Sequence, residues 1–424
     1  MTDTLKPGLT FSDAASIGKK STNRSLFALD GLNFFMADIT GGVGPFLALY
    51  LKSTLHLNPA DVGIVLAVGD ISSLLAQTPA GALVDLIRHK RTIIVIAAIA
   101  TALGSLALVL FPHYYAILAT QVVMGISRAF FPPAVAAITL GLVGHHNFPK
   151  RTGRNSAFDH AGNVVAAFLC GLVSKVFSIG AIFIMMAGMA FASLSVVFGI
   201  NPKQINEDAA RGSEPVLAAG AKPSLASIAE ILLNRRMFIF IGSVVLFHFA
   251  NAAMLPQVGQ KVAETKIMNP GVCMAACIIV AQIIMVPTAL LASRFAASWG
   301  RKPIFLIGFL SLPLRAVLFT LNDNPYGLIA IQVLDGIGAG VFGVLSLIVI
   351  SDLTQGSGRF NLVQGVLATA VGVGASLSNL AIGFIVKNAG YNTGFFTLAG
   401  IALLATAAFA ILMPETKHLE KAPI

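Results

Sequence analysis

The chain has 424 residues, 56% of them hydrophobic and only 11% charged, with a formal net charge of +10 and a mean hydropathy of +0.84. Soluble domains carry about 25% charged residues, so a soluble fold is excluded. The basic balance alone would suggest nucleic acid, but the cations cluster in short loops between apolar runs, and no nucleic-acid partner is expected.

The tail 1–25 has no apolar core of signal-peptide type, so no cleaved signal is expected. The first long apolar run, Leu26–Leu51, carries Asp30, Asn33 and Asp38 and then Gly41, Gly42, Gly44 and Pro45. A helix turning ~100° per residue places Asp30 and Asp38 within about 80° of each other. An ionisable residue at mid-bilayer costs roughly 2.5–3.5 kcal/mol on insertion scales. A lipid-facing helix would not carry that cost twice, so the run predicts a wet or protein-lined interior. The next run places Asp70, Ser73, Gln77 and Gly81 on one helical face. The fourth run does the same with Gln121, Gly125, Arg128 and Pro132. Asp38, Asp70 and Arg128 then share a depth near mid-membrane. They read either as a structural charge cluster or as proton-coupling groups, with Asp30 as a further candidate.

The fifth run places Asn155, Asp159 and Asn163 at i, i+4 and i+8. His160, beside Asp159, is able to titrate near neutral pH, although a hydrogen-bonded structural histidine fits equally. The second half is less charged. His248 and Asn251 share one face of the seventh run, and Asp335 and Asn379 are the main polar groups of the tenth and eleventh. Arg315, in the ninth run, is expected to pair with Asp335 as a helix clamp. The candidate substrate contacts are therefore Asn33, Gln77, Gln121, Asp159, His160, Asn163, His248, Asn251, Asp335 and Asn379.

Taken together, twelve runs are long enough to span a bilayer: 26–51, 62–87, 92–110, 115–143, 156–177, 180–200, 237–258, 271–292, 303–321, 326–350, 361–386 and 392–413. The one long polar stretch, 201–236, separates a bundle over 26–200 from a bundle over 237–413, with a C-terminal tail at 414–424. With the N-terminus inside, 21 of the 28 lysines and arginines fall on the inner side and five on the outer, while Arg128 and Arg315 stay within spans. By the positive-inside rule both termini are cytoplasmic. The halves repeat: Pro45 and Pro256, and Gln121-Val-Val-Met-Gly125 and Gln332-Val-Leu-Asp-Gly336, are each 211 residues apart. Repeated six-helix halves place a substrate site between them near mid-membrane.

After the second run the chain reads Gly81-Ala-Leu-Val-Asp85-Leu-Ile-Arg88-His89-Lys90-Arg91, and after the eighth Trp299-Gly300-Arg301-Lys302-Pro303. These resemble the loop motif of the major facilitator superfamily, G-x-x-x-D-(R/K)-x-G-(R/K)-(R/K). Gly81, Asp85, Lys90 and Arg91 match. Leu86 takes a basic position, Arg88 replaces the glycine, and Ala297 takes the second aspartate position. The resemblance implies an all-α membrane protein of twelve transmembrane helices in two pseudo-repeats. It also implies a gating role for Gly81, Asp85, Arg88, Lys90, Arg91, Gly300, Arg301 and Lys302, with Asp85 and the loop cations latching the outward-open state. The chain departs from the family's span-four R-x-x-Q-G, where Gln121 holds the arginine position, so that arginine's role does not carry over to Arg128. It also lacks the Gly-Pro pair that many drug antiporters carry in span five.

Two patterns lead nowhere. Gly338-Ala-Gly340-Val-Phe-Gly343 lies inside an apolar run with no preceding strand and is helix packing, not a nucleotide loop. Cys273 and Cys277 lack a second pair of ligands, and with Cys170 they read as small core residues. No cofactor or metal is expected. The expected function is proton-coupled transport of a small organic solute or metabolite by alternating access, with export favoured. The alternatives are proton-driven uptake of an organic anion or iron chelate, and, outside transport, a receptor or an intramembrane enzyme. The expected setting is the cell membrane (the inner membrane of a bacterium), with the lipid bilayer, substrate and protons as partners and a monomeric state.

Overall fold

The computed structural model describes residues 23–37, 43–87, 89–210, 234–265, 267–354 and 360–417. Among these residues the regular structure is helical throughout. In chain order it comprises α1 (Asn23–Ala37), α2 (Val43–Ser53), α3 (Pro59–Leu86), α4 (Lys90–Leu110), α5 (Tyr114–Val176), α6 (Ala181–Gly199), α7 (Glu207–Ala210), α8 (Arg235–Ala252), α9 (Met254–Thr265), α10 (Pro270–Trp299), α11 (Arg301–Thr320), α12 (Pro325–Thr354) and α13 (Phe360–Leu412). A short 3₁₀ turn, Pro202–Gln204, precedes α7.

The helix starts are written locally. Asn58, Asn234 and Asn269 accept backbone N–H bonds from the first turns of α3, α8 and α10. Pro59 and Pro270 follow two of these caps, where a missing N–H costs nothing. Two glycines break what would otherwise be single rods. A straight helix of 63 residues would be about 95 Å long, three times the ~30 Å hydrocarbon core. Gly144 turns α5 with φ 71°, and Gly390 turns α13 with φ 83°. Open space surrounds both, so it is the left-handed backbone that requires glycine there.

Ten helical stretches among the described residues are long and apolar enough to cross a membrane, the last of them the bent Val363–Leu412. The expected first span appears as α1 and α2 on either side of residues 38–42. Asp38, Gly41 and Gly42, like Arg88, lie outside the described residues, and so does most of the linker. Leu75, Leu86, Phe168, Leu290 and Ile411 are among many large apolar side chains left exposed. On a soluble protein such a surface would aggregate; in lipid it is the solvated face.

The structure moves several residues that were expected in loops. Lys150, Arg151 and Arg154 lie in the second arm of α5. Lys261 lies in α9, buried, with its ammonium on the Phe319 carbonyl at 3.0 Å and on Asp323 at 2.8 Å. Lys90 is 1% exposed and donates to the carbonyls of Val84 at 2.9 Å and Ile87 at 3.2 Å. The apolar runs extend past the charges because a buried ammonium can cap carbonyls at a helix end.

Three apolar cores hold the helices. One is built only from the first half (Leu29, Ile94, Phe131, Val197) and one only from the second (Phe247, Phe305, Phe342, Phe409). The third joins the halves, with Phe46, Tyr50, Val62 and Phe183 against Met274 and Ala275. It lies away from the end that carries Lys90, Arg151 and Arg301, termed here the basic end. Close contacts bring the halves together there: a Cβ on Gly63 would stand 2.3 Å from the Asn379 carbonyl oxygen, and one on Gly171 would stand 2.7 Å from the Ala275 Cβ. Lys52 and Glu264 form an ion pair across the same rim at 2.8 Å.

The orientation is testable on exposed positions. Single cysteines at His89 and Lys387 in a cysteine-free background should label with a membrane-impermeant maleimide from opposite sides, His89 only from the cytoplasm. The reverse pattern would invert the topology.

Candidate functional site

Between the halves lies a cavity of about 280 Å³. It continues toward the basic end into a wider space of about 580 Å³ lined by Ser73, Gln77 and Gln364. Helix contact on one side of the cavity is set by glycine: a Cβ on Gly125 would stand 2.3 Å from the Gly69 carbonyl oxygen. That approach of α3 and the first arm of α5 sets Asp70 beside Arg128. The Asp70 carboxylate accepts from Arg128 Nη2 at 2.9 Å and from Asn379 Nδ2 at 3.1 Å. Asn379 belongs to α13, so this group ties the two halves together through a neutral amide.

The second half supplies its own pair to the same cavity. Arg315, 1% exposed, is paired with Asp335, donates from Nη2 to Asn251 Oδ1 at 2.8 Å, and rests its Nε 3.1 Å from the Met254 sulfur. Gln121 lines the cavity as well, and its Nε2 has no partner among the described residues.

Other candidates lie elsewhere. Asp30 sits toward the basic end in a clamp, accepting from Arg151 Nη2 at 2.6 Å and from Arg154 at 2.7–3.2 Å. Arg151 also holds Asn155 and the Leu26 carbonyl, so Asp30 fastens α1 to the second arm of α5. Asn33 donates to the Leu29 carbonyl of its own helix. Asp159 accepts from Asn163 at 3.3 Å, and His160 Nδ1 stands 3.0 Å from Gln282 Oε1 of α10, across the halves. His248 packs edge-on against Phe342, with a buried, unpartnered Nε2, outside the cavity lining.

At the basic end the two loop motifs differ. Arg91 lies over the Phe198 ring, and Lys90 reaches Glu207 of α7 at 3.8 Å. The side chain of Asp85 is not described. In the second half Gly300, with φ 107°, starts α11 against Glu415, whose carboxylate accepts the backbone N–H groups of Arg301 and Lys302 at 2.8 and 3.1 Å. The Arg301 guanidinium pairs with Asp352 at 2.9 Å, and Thr416 completes the cluster by donating to Asp352. Trp299, 65% exposed, stacks obliquely on Phe295 beside it. Sequence reasoning missed Asn379's partner, Gln282, Asp352 and Glu415. The signal for the last two was an acid at the inner end of a span and another just past the final one.

Burial alone would raise the Glu415 carboxyl, but the N–H groups of Lys417, Arg301, Lys302 and Thr416 together hold it below the ordinary value. A depressed carboxyl contributes stability that is present above the unfolded-state value and lost as pH falls through the lower folded-state one. Glu415→Gln should therefore flatten the acid side of the melting-temperature profile while lowering stability at neutral pH. Asp30→Ala should cost about 3–5 kcal/mol, because it leaves the buried Arg151 uncompensated. Thermal melts of both variants in one detergent check these outcomes.

The model of the Major Facilitator Superfamily matches residues 29–295 and 274–424. An uncharacterized MFS-type transporter of Mycobacterium tuberculosis is 44% identical over 92% of this chain and 93% of that protein. A putative sugar efflux transporter of Deinococcus radiodurans is 23% identical over 89% and 95%. Among solved structures, the nucleoside transporter NupG superposes with a TM-score of 0.75 at 16% identity over 95% of this chain and all of that one. A POT family transporter in complex with a thioalcohol-conjugated peptide superposes with 0.74 at 13% identity, over 91% and 95%. By family model and by its 44% relative, the chain belongs to the major facilitator superfamily.

Proposed function

We propose that this membrane transporter is a proton-coupled exporter of a small organic solute, working by alternating access as its two six-helix halves, 26–200 and 237–413, rock about the central cavity. The asymmetry of the cores carries this reading. The one core that holds residues of both halves lies away from the basic end; toward the basic end the core residues belong to one half or the other, and none of those cores spans the two. With the basic end assigned to the cytoplasm, the cavity faces the side from which an exporter loads. The name of one relative points the same way, the putative sugar efflux transporter of Deinococcus radiodurans. Uptake of an organic anion would need Arg128 to receive it, and Arg128 already holds Asp70.

Coupling needs a carboxylate that changes charge. Asp61, Glu264 and Asp352 sit in the terminal turns of their helices; of the acids described further inside, Asp30, Asp70 and Asp335 are each paired with arginine. Protonating one of those would leave a guanidinium alone in low dielectric. Asp159 has a neutral partner, Asn163, and can exchange its charge for a proton without that penalty. Its neighbour His160 meets Gln282 where the halves touch, so a charge change there is felt at the moving interface. Asp159 with His160 is the coupling pair in this reading, and Asp38 is the second candidate.

Proteoliposomes loaded with a radiolabelled solute found by thermal-shift screening test it. Asp159→Asn should abolish accumulation driven by a pH gradient while exchange at equal pH survives. If Asp159→Asn and Asp38→Asn both accumulate solute like the wild type, the coupling assignment fails.

A further inference from the structure

We infer that the central cavity takes a neutral, polyhydroxylated solute of monosaccharide size, gripped by amide side chains rather than by charge. The inference rests on the transport reading of that cavity and names the class of solute it carries.

The first support is electrostatic. The described charged side chains lining the cavity form one pair in each half, Asp70 with Arg128 and Asp335 with Arg315. A solute with net charge would have to split a pair and leave the other member unbalanced in a low-dielectric site. A neutral solute leaves both intact.

The second support is the set of polar atoms left without partners. Asn379 is 7% exposed; its Nδ2 is committed to Asp70, and its Oδ1 has no partner. Gln121, also 7% exposed, has an unpartnered Nε2. Buried polar atoms are normally satisfied. One of these is an acceptor and the other a donor, on opposite halves. Both side chains line the cavity with these atoms shielded from it; a hydroxyl both donates and accepts, so once the two amides turn toward a molecule bearing several, it meets both and bridges the halves.

The third support is shape. No residue lining this cavity or the wider one beyond it is aromatic, so nothing described here stacks on a nucleobase or a drug ring. The inner cavity, about 280 Å³, has room for roughly nine waters. The wider space of about 580 Å³ lies beyond these amides toward the basic end, so the part of the site that both amides line is the smaller one.

The test uses one carbon skeleton in three charge states: glucose, gluconate, and glucosamine with its amine protonated, together with neutral inositol. Binding to the full chain in nanodiscs is read by titration calorimetry. Glucose or inositol should bind, with gluconate and glucosamine at least about tenfold weaker. Gln121→Met, which keeps side-chain size, should weaken neutral binding about tenfold, the loss of one hydrogen bond, and Asn379→Leu, which also releases Asp70, should weaken it at least as much. Ser195→Ala, at an exposed site, serves as the folding control. The inference is overturned if either charged probe binds as tightly as the neutral ones, if both variants bind like the wild type, or if no neutral polyol binds folded protein. Uptake of a charged solute by proteoliposomes would overturn the class and leave transport standing. Neutral binding without flux would do the reverse.

Discussion

Charge compensation inside a low-dielectric body is the constraint on which this structure depends. Arg128, Arg151 and Arg315 each meet a carboxylate inside the spanning helices, and each meeting fastens two helices. Asp30 fastens α1 to α5, Asp70 fastens α3 to α5, and Asp335 fastens α11 to α12. All three pairs lie within one half. Across the halves, at cavity depth, the described polar links are amide and imidazole contacts: Asn379 to Asp70, and His160 to Gln282. Strong pairs make each bundle rigid. The neutral links between them are such that breaking one would leave no arginine without its carboxylate.

The apolar packing follows the same division. Phe247, Phe305, Phe309, Phe342 and Phe409 stack on one another deep in the second half. Such a core has one good arrangement and moves as a block. The shared core around Phe46, Tyr50 and Met274 is a contact between blocks, built where small residues let backbones approach.

Much of this was legible in the sequence. Apolar runs of spanning length marked the helices; the asparagine caps and proline starts that set their first turns stood in the sequence unread, and the structure supplied them. The pairing of Asp70 with Arg128 was legible as two polar stripes at one depth, and that of Arg315 with Asp335 as the lone intramembrane cation near a lone acid. Other partners were not. Arg151 and Arg154 read as loop cations, since nothing local shows that α5 continues through them to reach Asp30, more than 120 residues earlier. Asn379 and Gln282 find their partners through helix rotation and crossing, which periodicity does not encode. Lys90 and Lys261 obeyed the charge count but not the expectation of solvation, because an ammonium can end a helix by binding its last carbonyls.

Trp299 is the chain's single tryptophan, and it sits half in the open on the last turn of α10, next to Gly300 and the Arg301–Asp352–Glu415 cluster. Its emission has no competitor elsewhere in the molecule. The protein therefore carries a built-in optical probe at its basic rim. Quenching by a water-soluble agent would test directly, with no label attached, whether water's access to that rim changes when solute is added.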